Sequence, residues 1–205
     1  MTDLSSASPA KPGPGRPREF DMETVLERAI VAFSGRGYHG ASVADLAEAT
    51  GLAWGSIYKA FGDKHALFLA AFDRYVETSH AALRRRVDTK KSGRERLRDA
   101  LLFYVESSQG AAGKRGCLSV TVAAELAAYD EYVARRVRKA FLTTEKIVLE
   151  LARAGQADGS LRRDLDAKAC ARFLLCFLKG MRLVGTLAPQ RADLVAAVEV
   201  ALHGL

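Results

Sequence analysis

The chain has few of the features on which several large classes of protein depend. It carries three cysteines, too few for all to pair, and none shows the C-x-x-C spacing of a redox or metal site. No signal peptide is recognisable, and no apolar run approaches the ~20 residues that span a bilayer. We therefore expect a cytoplasmic protein in a reducing environment, with no disulfide and no membrane partner.

Catalytic and metal-binding patterns are also lacking. The four histidines do not have the spacing of metal ligands, and no G-x-S-x-G motif marks a nucleophile. Residues 35–40 match the dinucleotide pattern G-x-G-x-x-G by letter, but a predicted helix precedes them and no βαβ unit is present. We expect neither an enzyme nor a bound metal or cofactor.

Proline is rare, and four of the five prolines lie in the first 18 residues. That segment combines Ser, Pro and Gly with basic residues and cannot bury enough apolar surface to order itself. We predict a flexible basic arm over residues 1–18. Within it, Gly15–Arg18 is short and extended, so Arg16 and Arg18 could enter a DNA minor groove. The alternative is a solubilising tail.

The net charge of +7 favours an anionic partner such as nucleic acid, but it does not locate the binding surface. The first 65 residues hold seven basic and eight acidic residues. The basic excess lies in residues 84–98 and 135–139, where such runs are typical of a solvated helix face. DNA binding must therefore be argued from individual residues.

What the sequence does contain, from Asp21 to its end, is helical periodicity without sustained two-residue alternation. We predict an all-α protein of about nine helices. Asp21 should cap the first helix, which Gly35 and Gly37 should end. Further helices are predicted to begin at Ser42, Ala53 and Lys64, and to span 93–109, 117–127, 129–155, 166–187 and 189–203.

Residues 42–61 carry the strongest motif. Ser42 and Asp45 have the spacing of a capping box, and Gly51 can adopt the positive φ that ends a helix in a tight turn. Ile57 and Phe61 should face inward, one helical turn apart. Two short helices joined in this way predict a helix-turn-helix whose second helix enters the major groove.

The outward side of the second helix suits DNA. Gly55 allows close approach, Trp54 can contact a sugar or a thymine methyl, and Ser56 can bond a base edge or phosphate. Tyr58 and Lys59 can bind phosphate. Two further candidates, Ser42 and Lys64, lie at helix starts that favour an anion. The alternative is a three-helix cap in which Trp54 and Tyr58 only pack.

These residues resemble the signature of the TetR/AcrR family of transcriptional regulators. The resemblance rests on the Ser42 cap, the Gly51 turn, Gly55-Ser56-Ile57-Tyr58, Phe61 and Lys64-His65-Ala66-Leu67, and covers about residues 20–75. Ala53 and Trp54 depart from the residues common there. The resemblance implies a DNA-binding domain over 19–63, a ligand-binding and dimerisation domain over 64–205, a double-stranded operator, a small-molecule effector and a homodimer.

The dimer has independent support in the sequence. The predicted helix over 166–187 is apolar nearly all round, so it should be buried on more than one side. A dimer interface would bury the second side of this helix. The alternative is that the helix lies in the core of a monomer. The candidate interface residues are Phe173, Leu174, Leu175, Leu178 and Met181.

Candidate effector-pocket residues are the aromatic, hydroxyl and thiol side chains of the central helices, although each could equally be plain core. They are Phe72, Tyr75, Tyr104, Ser108, Cys117, Thr121, Phe141 and Phe177. Cys117 should open a helix near Lys114 and Arg115, which would lower its pKa and make it oxidisable. A buried structural cysteine is the alternative. A second function remains open, a helical DNA-architectural or partner-binding protein without ligand sensing.

Overall fold

The computed structural model describes residues 21–87 and 91–205, and these residues form helices and turns without a β-strand. The all-α prediction is thereby confirmed. The helices are α1 (Met22–Gly40), α2 (Val43–Thr50), α3 (Trp54–Phe61), α4 (Lys64–Val87), α5 (Gly93–Ser107), α6 (Gly110–Arg115), α7 (Leu118–Glu125), α8 (Glu131–Ala157), α9 (Ala167–Val184) and α10 (Arg191–His203), with a 3₁₀ turn at Gly185–Leu187. The predicted flexible arm, with Arg16 and Arg18, lies outside the described residues.

The first helix begins as predicted, because the Asp21 carboxylate accepts a hydrogen bond from the Glu23 amide at 3.1 Å. The prediction that Gly35 ends this helix is wrong. The helical backbone continues to Gly37, where φ is +71° and ψ is 178°. A residue with a side chain is strained in that conformation, so the break falls at Gly37 and a further turn leads on to Gly40.

Two predicted boundaries also change. The segment 110–116, predicted as a break, contains the short helix α6. The helix predicted over 166–187 ends at Val184 and tightens into the 3₁₀ turn, which is a common way to end a helix. The remaining helices lie within a few residues of their predicted bounds. Apolar periodicity fixes which segments are helical more firmly than it fixes where they end.

The buried apolar residues form two cores. The N-terminal core contains Phe33, Leu46, Ile57 and Phe68, and it also takes in α7 and the first half of α8. The C-terminal core joins α5, the second half of α8, α9 and α10. Since α7 and α8 contribute to the N-terminal core, the boundary between the two cores does not coincide with the domain boundary predicted between residues 63 and 64. Rigid packing therefore connects the helix-turn-helix to the rest of the chain.

The side chains of α9 require a correction to the predicted dimer interface. Leu174 and Leu178 are fully buried and Met181 is nearly so, all three within the C-terminal core of the same chain, and Leu175 is 7% accessible. Of the five candidates only Phe173 is exposed, with 52% of its surface accessible. For the other four the monomer-core alternative is correct, because a nearly all-apolar helix does not reveal which side faces its own core.

Candidate nucleic-acid interface and interior cavity

Short-range contacts fix the angle between α2 and α3. The Ser42 hydroxyl accepts a hydrogen bond from the Asp45 amide at 3.1 Å, and the Asp45 carboxylate accepts one from the Ser42 amide at 2.8 Å. Asp45 also pairs with Arg36 of α1. At the turn, Gly51 has a φ of +72° and its amide donates to the Ala47 carbonyl at 3.0 Å. The predicted capping box and turn are both confirmed.

The third helix has one buried and one exposed side. Ile57 is fully buried in the N-terminal core, whereas Tyr58 is 59% accessible and Lys59 is exposed. At Gly55, no atom lies within 4 Å of the position that a Cβ would occupy. Trp54 is half-buried and packs against the N-terminal core, so the packing alternative holds in part for Trp54 and fails for Tyr58.

Exposed polar groups surround this side of α3. Ser56 is half-buried on α3, and Ser42 is exposed at the start of α2. The Lys64 ammonium lies 4.6 Å from the centroid of the Tyr38 ring, at the start of α4. Neither Lys59 nor Lys64 pairs with a carboxylate within 21–87 and 91–205. We call Trp54, Gly55, Ser56, Tyr58 and Lys59 the recognition surface.

A second group of polar side chains surrounds an interior cavity of about 50 Å³, enclosed by α4, α5, α7, α8 and α9. Three predicted pocket residues line it, namely Tyr75, Tyr104 and Cys117. Ser108 and Phe141 lie just behind the wall, since Ser108 bonds Arg182 and the Phe141 ring lies under the Lys179 ammonium. The cavity therefore collects residues that are far apart in the sequence.

Three other pocket predictions are not supported by this geometry. Phe72 is buried in the N-terminal core, and Thr121 lies on α7 away from the cavity lining. Phe177 stacks on Phe173 at 6.3 Å between ring centroids, on the outer side of α9. Thr121 and Phe177 lie on another side of a helix that contributes cavity residues, whereas Phe72 lies one turn before Val76 on the same side of α4, where that helix meets the N-terminal core.

Sequence reasoning missed the two cations of the cavity, Lys179 and Arg182. Arg182 is only 5% accessible, and its guanidinium donates to the carbonyls of Ser107 and Gly116, the latter at 2.8 Å, and to the Ser108 hydroxyl at 3.4 Å. The available signal was a pair of cations three residues apart in the second half of a helix whose other two cations, Lys168 and Arg172, lie in its first half. From its apolar residues, that helix was predicted only to form a dimer interface.

The Cys117 thiol has a perturbed environment, although not the predicted one. The Tyr75 hydroxyl donates to the Cys117 sulfur at 3.3 Å. Burial acts to raise the pKa of Cys117, but Lys179, the Tyr75 hydroxyl and Arg182 together outweigh it, so that the pKa is lowered. Lys114 and Arg115 are exposed. The predicted direction is right, but the cations come from α9.

The titratable groups of the cavity that are neutral near pH 7 are His80, Tyr75 and Tyr104. Burial, followed by Lys179 and Arg84, lowers the pKa of His80 to about 4. Its Nε2 lies 3.0 Å from the Thr144 hydroxyl. Burial raises the pKa of Tyr104 to about 12 and also raises that of Tyr75. The wall thus offers hydroxyl and imidazole groups without charge, beside two cations.

The seventh helix links the cavity to the helix-turn-helix. Cys117 caps its N-terminus in the cavity, and Glu125 ends it. The Glu125 carboxylate accepts hydrogen bonds from the amides of Tyr38 at 2.9 Å and His39 at 2.7 Å. A Cβ at Gly37 would lie 2.7 Å from that carboxylate. Two turns of helix thus connect Cys117 to the end of α1.

The outer sides of α9 and α10 form an apolar groove, which we call the α9–α10 face. Its main side chains are Ala169, Phe173, Phe177, Ala197 and Val200. Val184, about three turns beyond Phe173 on the same side of α9, is also exposed. A contiguous apolar surface of this kind is typical of an interaction site.

Two further properties concern residues 21–87 and 91–205. No group of three or more His, Cys, Asp or Glu side chains in this part of the chain could hold a metal ion. None of its helices is long and apolar enough to cross a membrane.

Comparison with known proteins places both halves of the chain in one group. Residues 25–71 match the family described as bacterial regulatory proteins, tetR family, and residues 93–200 match the tetracyclin repressor-like C-terminal domain. The HTH-type transcriptional regulator YezE of Bacillus subtilis is 32% identical over 78% of this chain and 83% of its own length. The transcriptional repressor ComR of Escherichia coli is 28% identical over 82% and 81%.

A solved relative shows the same fold on DNA. A cysteine variant of the TetR-family regulator CifR, complexed with 26-bp double-stranded operator DNA, is 35% identical to this chain. The match has a TM-score of 0.79 and covers 92% of this chain and 98% of that one.

Proposed function

The chain belongs to the TetR family of transcriptional regulators, DNA-binding proteins that are not enzymes, and we propose that it is a homodimeric repressor released from a palindromic operator by a small molecule. DNA binding is supported above all by one observation, that α3 has one buried side and one exposed side. Ile57 anchors the helix, while Gly55, Tyr58 and Lys59 remain exposed and free of carboxylate partners among the described residues.

The recognition surface would read DNA by its outer side. Gly55 lets the backbone approach the bases, and Ser56 offers a hydroxyl to a base edge or phosphate. Tyr58 and Lys59 contact the phosphate backbone, with Ser42 and Lys64 flanking them at helix starts. Arg16 and Arg18 extend the contact into the minor groove. The half-buried Trp54 contributes only its exposed edge.

Dimerisation would use the α9–α10 face. In a single chain Phe173 and Val200 are exposed, at 52% and 75% accessibility, and a second copy offers the same apolar groove. A two-fold interface of this kind is self-complementary. It would hold two α3 helices roughly 34–36 Å apart, which is the spacing of successive major grooves.

The interior cavity would receive the effector. Three aromatic rings and several polar side chains line it, which gives it both contact surface and anchors for a small molecule. A ligand that moves Cys117 or the α4 wall would act on the helix-turn-helix through α7 and α4. Such coupling is typically about 1–3 kcal/mol, or roughly 5- to 150-fold in affinity. The protein would act in the cytoplasm, where it meets chromosomal DNA.

A second effector mode is favoured by the lowered pKa of Cys117. A thiolate attacks hydrogen peroxide to give a sulfenate and water, in which sulfur is oxidised and one peroxide oxygen is reduced. The added oxygen would occupy space in a cavity of about 50 Å³ and displace the N-terminus of α7. Oxidation would then replace ligand binding as the release signal.

The test of the proposed function is selection of bound sequences from a random DNA pool by purified full-length protein. We expect a palindrome whose half-sites lie one helical turn, or a multiple of it, apart. The Lys59→Ala variant should lose enrichment, whereas Lys146→Ala, an exposed lysine on α8, should keep it. If no sequence is enriched at low salt, the proposal that the protein binds a specific operator is wrong, and the partner-binding alternative takes its place.

A further inference from the structure

The geometry points to an effector class: we propose that the interior cavity takes a small anion, a carboxylate or similar oxyanion on an apolar body, and that Lys179 binds its charge. This inference rests on the proposed function and specifies the ligand of the same site. The first observation behind it is that the cavity wall contains more positive than negative side chains.

The wall contains two cations and no carboxylate. Lys179 and Arg182 line the cavity, and no Asp or Glu does so among the described residues. His80 is neutral at pH 7 because its pKa lies at about 4. Tyr75 and Tyr104 are also neutral, since burial raises their pKa values. Cys117 alone can supply a negative charge, and one thiolate leaves the pair of cations with a net positive charge.

The two cations differ in what they bind. Arg182 donates to three acceptors of the protein, on Ser107, Ser108 and Gly116. Lys179, by contrast, has neither a hydrogen bond nor an ion pair from its ammonium to any residue in the described ranges. It lies 4.8 Å from the centroid of the Phe141 ring and 5.6 Å from that of Tyr104. Arg182 is therefore structural, and Lys179 is available.

The Lys179 side chain is half-buried, and an ammonium that loses part of its hydration without gaining an acceptor is unfavourable, because aromatic faces replace only part of that hydration. Burial accordingly lowers the pKa of Lys179. An anion placed beside Lys179 would restore an acceptor and a charge partner at once. A neutral ligand would leave the ammonium unsatisfied, and a cation would be repelled by both Lys179 and Arg182.

The rest of the wall limits the size and character of the anion. A space of about 50 Å³ holds only a few water-sized groups, so the acid must be small or the helices must part. Tyr104, Phe103 and Val76 provide apolar contact, and Ser119 provides a hydroxyl, while the Thr144 hydroxyl already donates to the Ala140 carbonyl at 3.2 Å. This combination fits a short-chain or aromatic monocarboxylate.

The same arrangement makes a second prediction, on the thiol. Lys179 and Arg182 lower the pKa of Cys117, so an anion bound between them counteracts their field. The pKa of Cys117 should rise when the site is occupied. Alkylation of Cys117 by iodoacetamide should then slow, because the thiolate is the reactive form.

The experiment uses the full-length protein with sodium acetate, propionate and benzoate as probes, each compared with its neutral amide and with sodium chloride at equal concentration. Thermal unfolding, Cys117 alkylation and operator release are measured. At least one acid should raise the Tm, slow alkylation and release the operator, and its amide should not. Lys179→Met should weaken the response by roughly 10- to 100-fold, as expected for a charged hydrogen bond.

Two variants keep the result interpretable. Lys168→Met removes an exposed lysine of the same helix and should respond as the wild type does. Lys179→Gln keeps a donor without the charge, and serves if Lys179→Met fails to fold. The inference is overturned if an amide acts as well as its acid, if the Lys179 variants keep the response, or if no acid binds. Operator binding that no acid releases, or release by neutral compounds alone, would leave the proposed function standing while this inference fails.

Discussion

The recognition surface and the interior cavity are both built from polar residues, yet they are assembled in different ways. Around the recognition surface the organising contacts are local, such as Ser42 with Asp45 three residues on and Gly51 with Ala47 four residues back. In the cavity, Tyr75 bonds Cys117 across 42 residues and His80 lies beside Thr144 across 64. Local contacts are visible in a sequence pattern, and distant ones are not.

The two regions also differ in how their charges are satisfied. Lys59 is exposed and hydrated, so it stays available for phosphate at little cost. Arg182 is buried and needs three protein acceptors, while Lys179 lies between aromatic rings. A substitution in the recognition surface should therefore affect one contact at a time. A substitution in the cavity should disturb the packing of several helices. The following predictions test this contrast, from the largest expected effect to the smallest.

The largest effect is expected at the α9–α10 face, which we propose as the dimer interface. Phe173→Asp should convert the dimer to monomer and weaken operator binding by at least about 100-fold, because the second half-site is no longer held at high effective concentration. Sedimentation and gel-shift titration measure the two losses. Leu142→Asp alters a similarly exposed residue (53% accessible) outside the groove and should change neither. A dimeric Phe173→Asp protein would show that the interface lies elsewhere.

At the recognition surface, single contacts should act independently of DNA sequence. Lys59→Ala should weaken binding to all sequences, by roughly tenfold, and reduce the slope of log K against log salt by about 0.9. Tyr58→Phe should weaken binding by less, through loss of one hydroxyl contact to phosphate. Fluorescence anisotropy at several salt concentrations measures both quantities. Wild-type affinity and salt slope in both variants would show that α3 does not dock as proposed.

The link between the two regions is tested at Glu125. Glu125→Ala leaves the amides of Tyr38 and His39 without their acceptor, and should lower the free energy of unfolding by about 1–3 kcal/mol. It should also reduce effector-induced release while preserving operator binding. Denaturant titration and a release assay measure these effects. Glu131→Ala is the control, since that carboxylate makes only a 4.0 Å contact with Arg135. A Glu125→Ala protein with full release would exclude α7 as the route.

The smallest effect is expected from pH. His80 has a folded pKa of about 4 against an ordinary 6.5, so below pH 6.5 the unfolded chain binds the proton more readily than the folded one. His80 should therefore make stability fall as pH decreases from 6.5 toward 4. The difference in Tm between wild type and His80→Gln, measured from pH 7 to pH 4, should shrink over that window. A constant difference would show that His80 titrates normally.

The sequence alone determined most of the fold and the outline of the recognition surface. Its apolar residues recur at helical spacing, Ser42 and Asp45 cap one helix, and Gly51 turns the chain into the next. Because successive residues of a helix lie about 100° apart, burying Ile57 turns Lys59 to nearly the opposite side and Tyr58 away from the core. Each of these features depends on residues within a few positions of one another.

Tertiary structure alone decided the rest. It turned Leu174, Leu175, Leu178 and Met181 inward and left Phe173 outside, a choice that a helix apolar nearly all round does not reveal. It brought Lys179 and Arg182 to Cys117, and Glu125 to the amides after Gly37. The physical reason is that each of these contacts requires several helices to pack in one arrangement, and helical periodicity specifies sides of a helix without naming their partners.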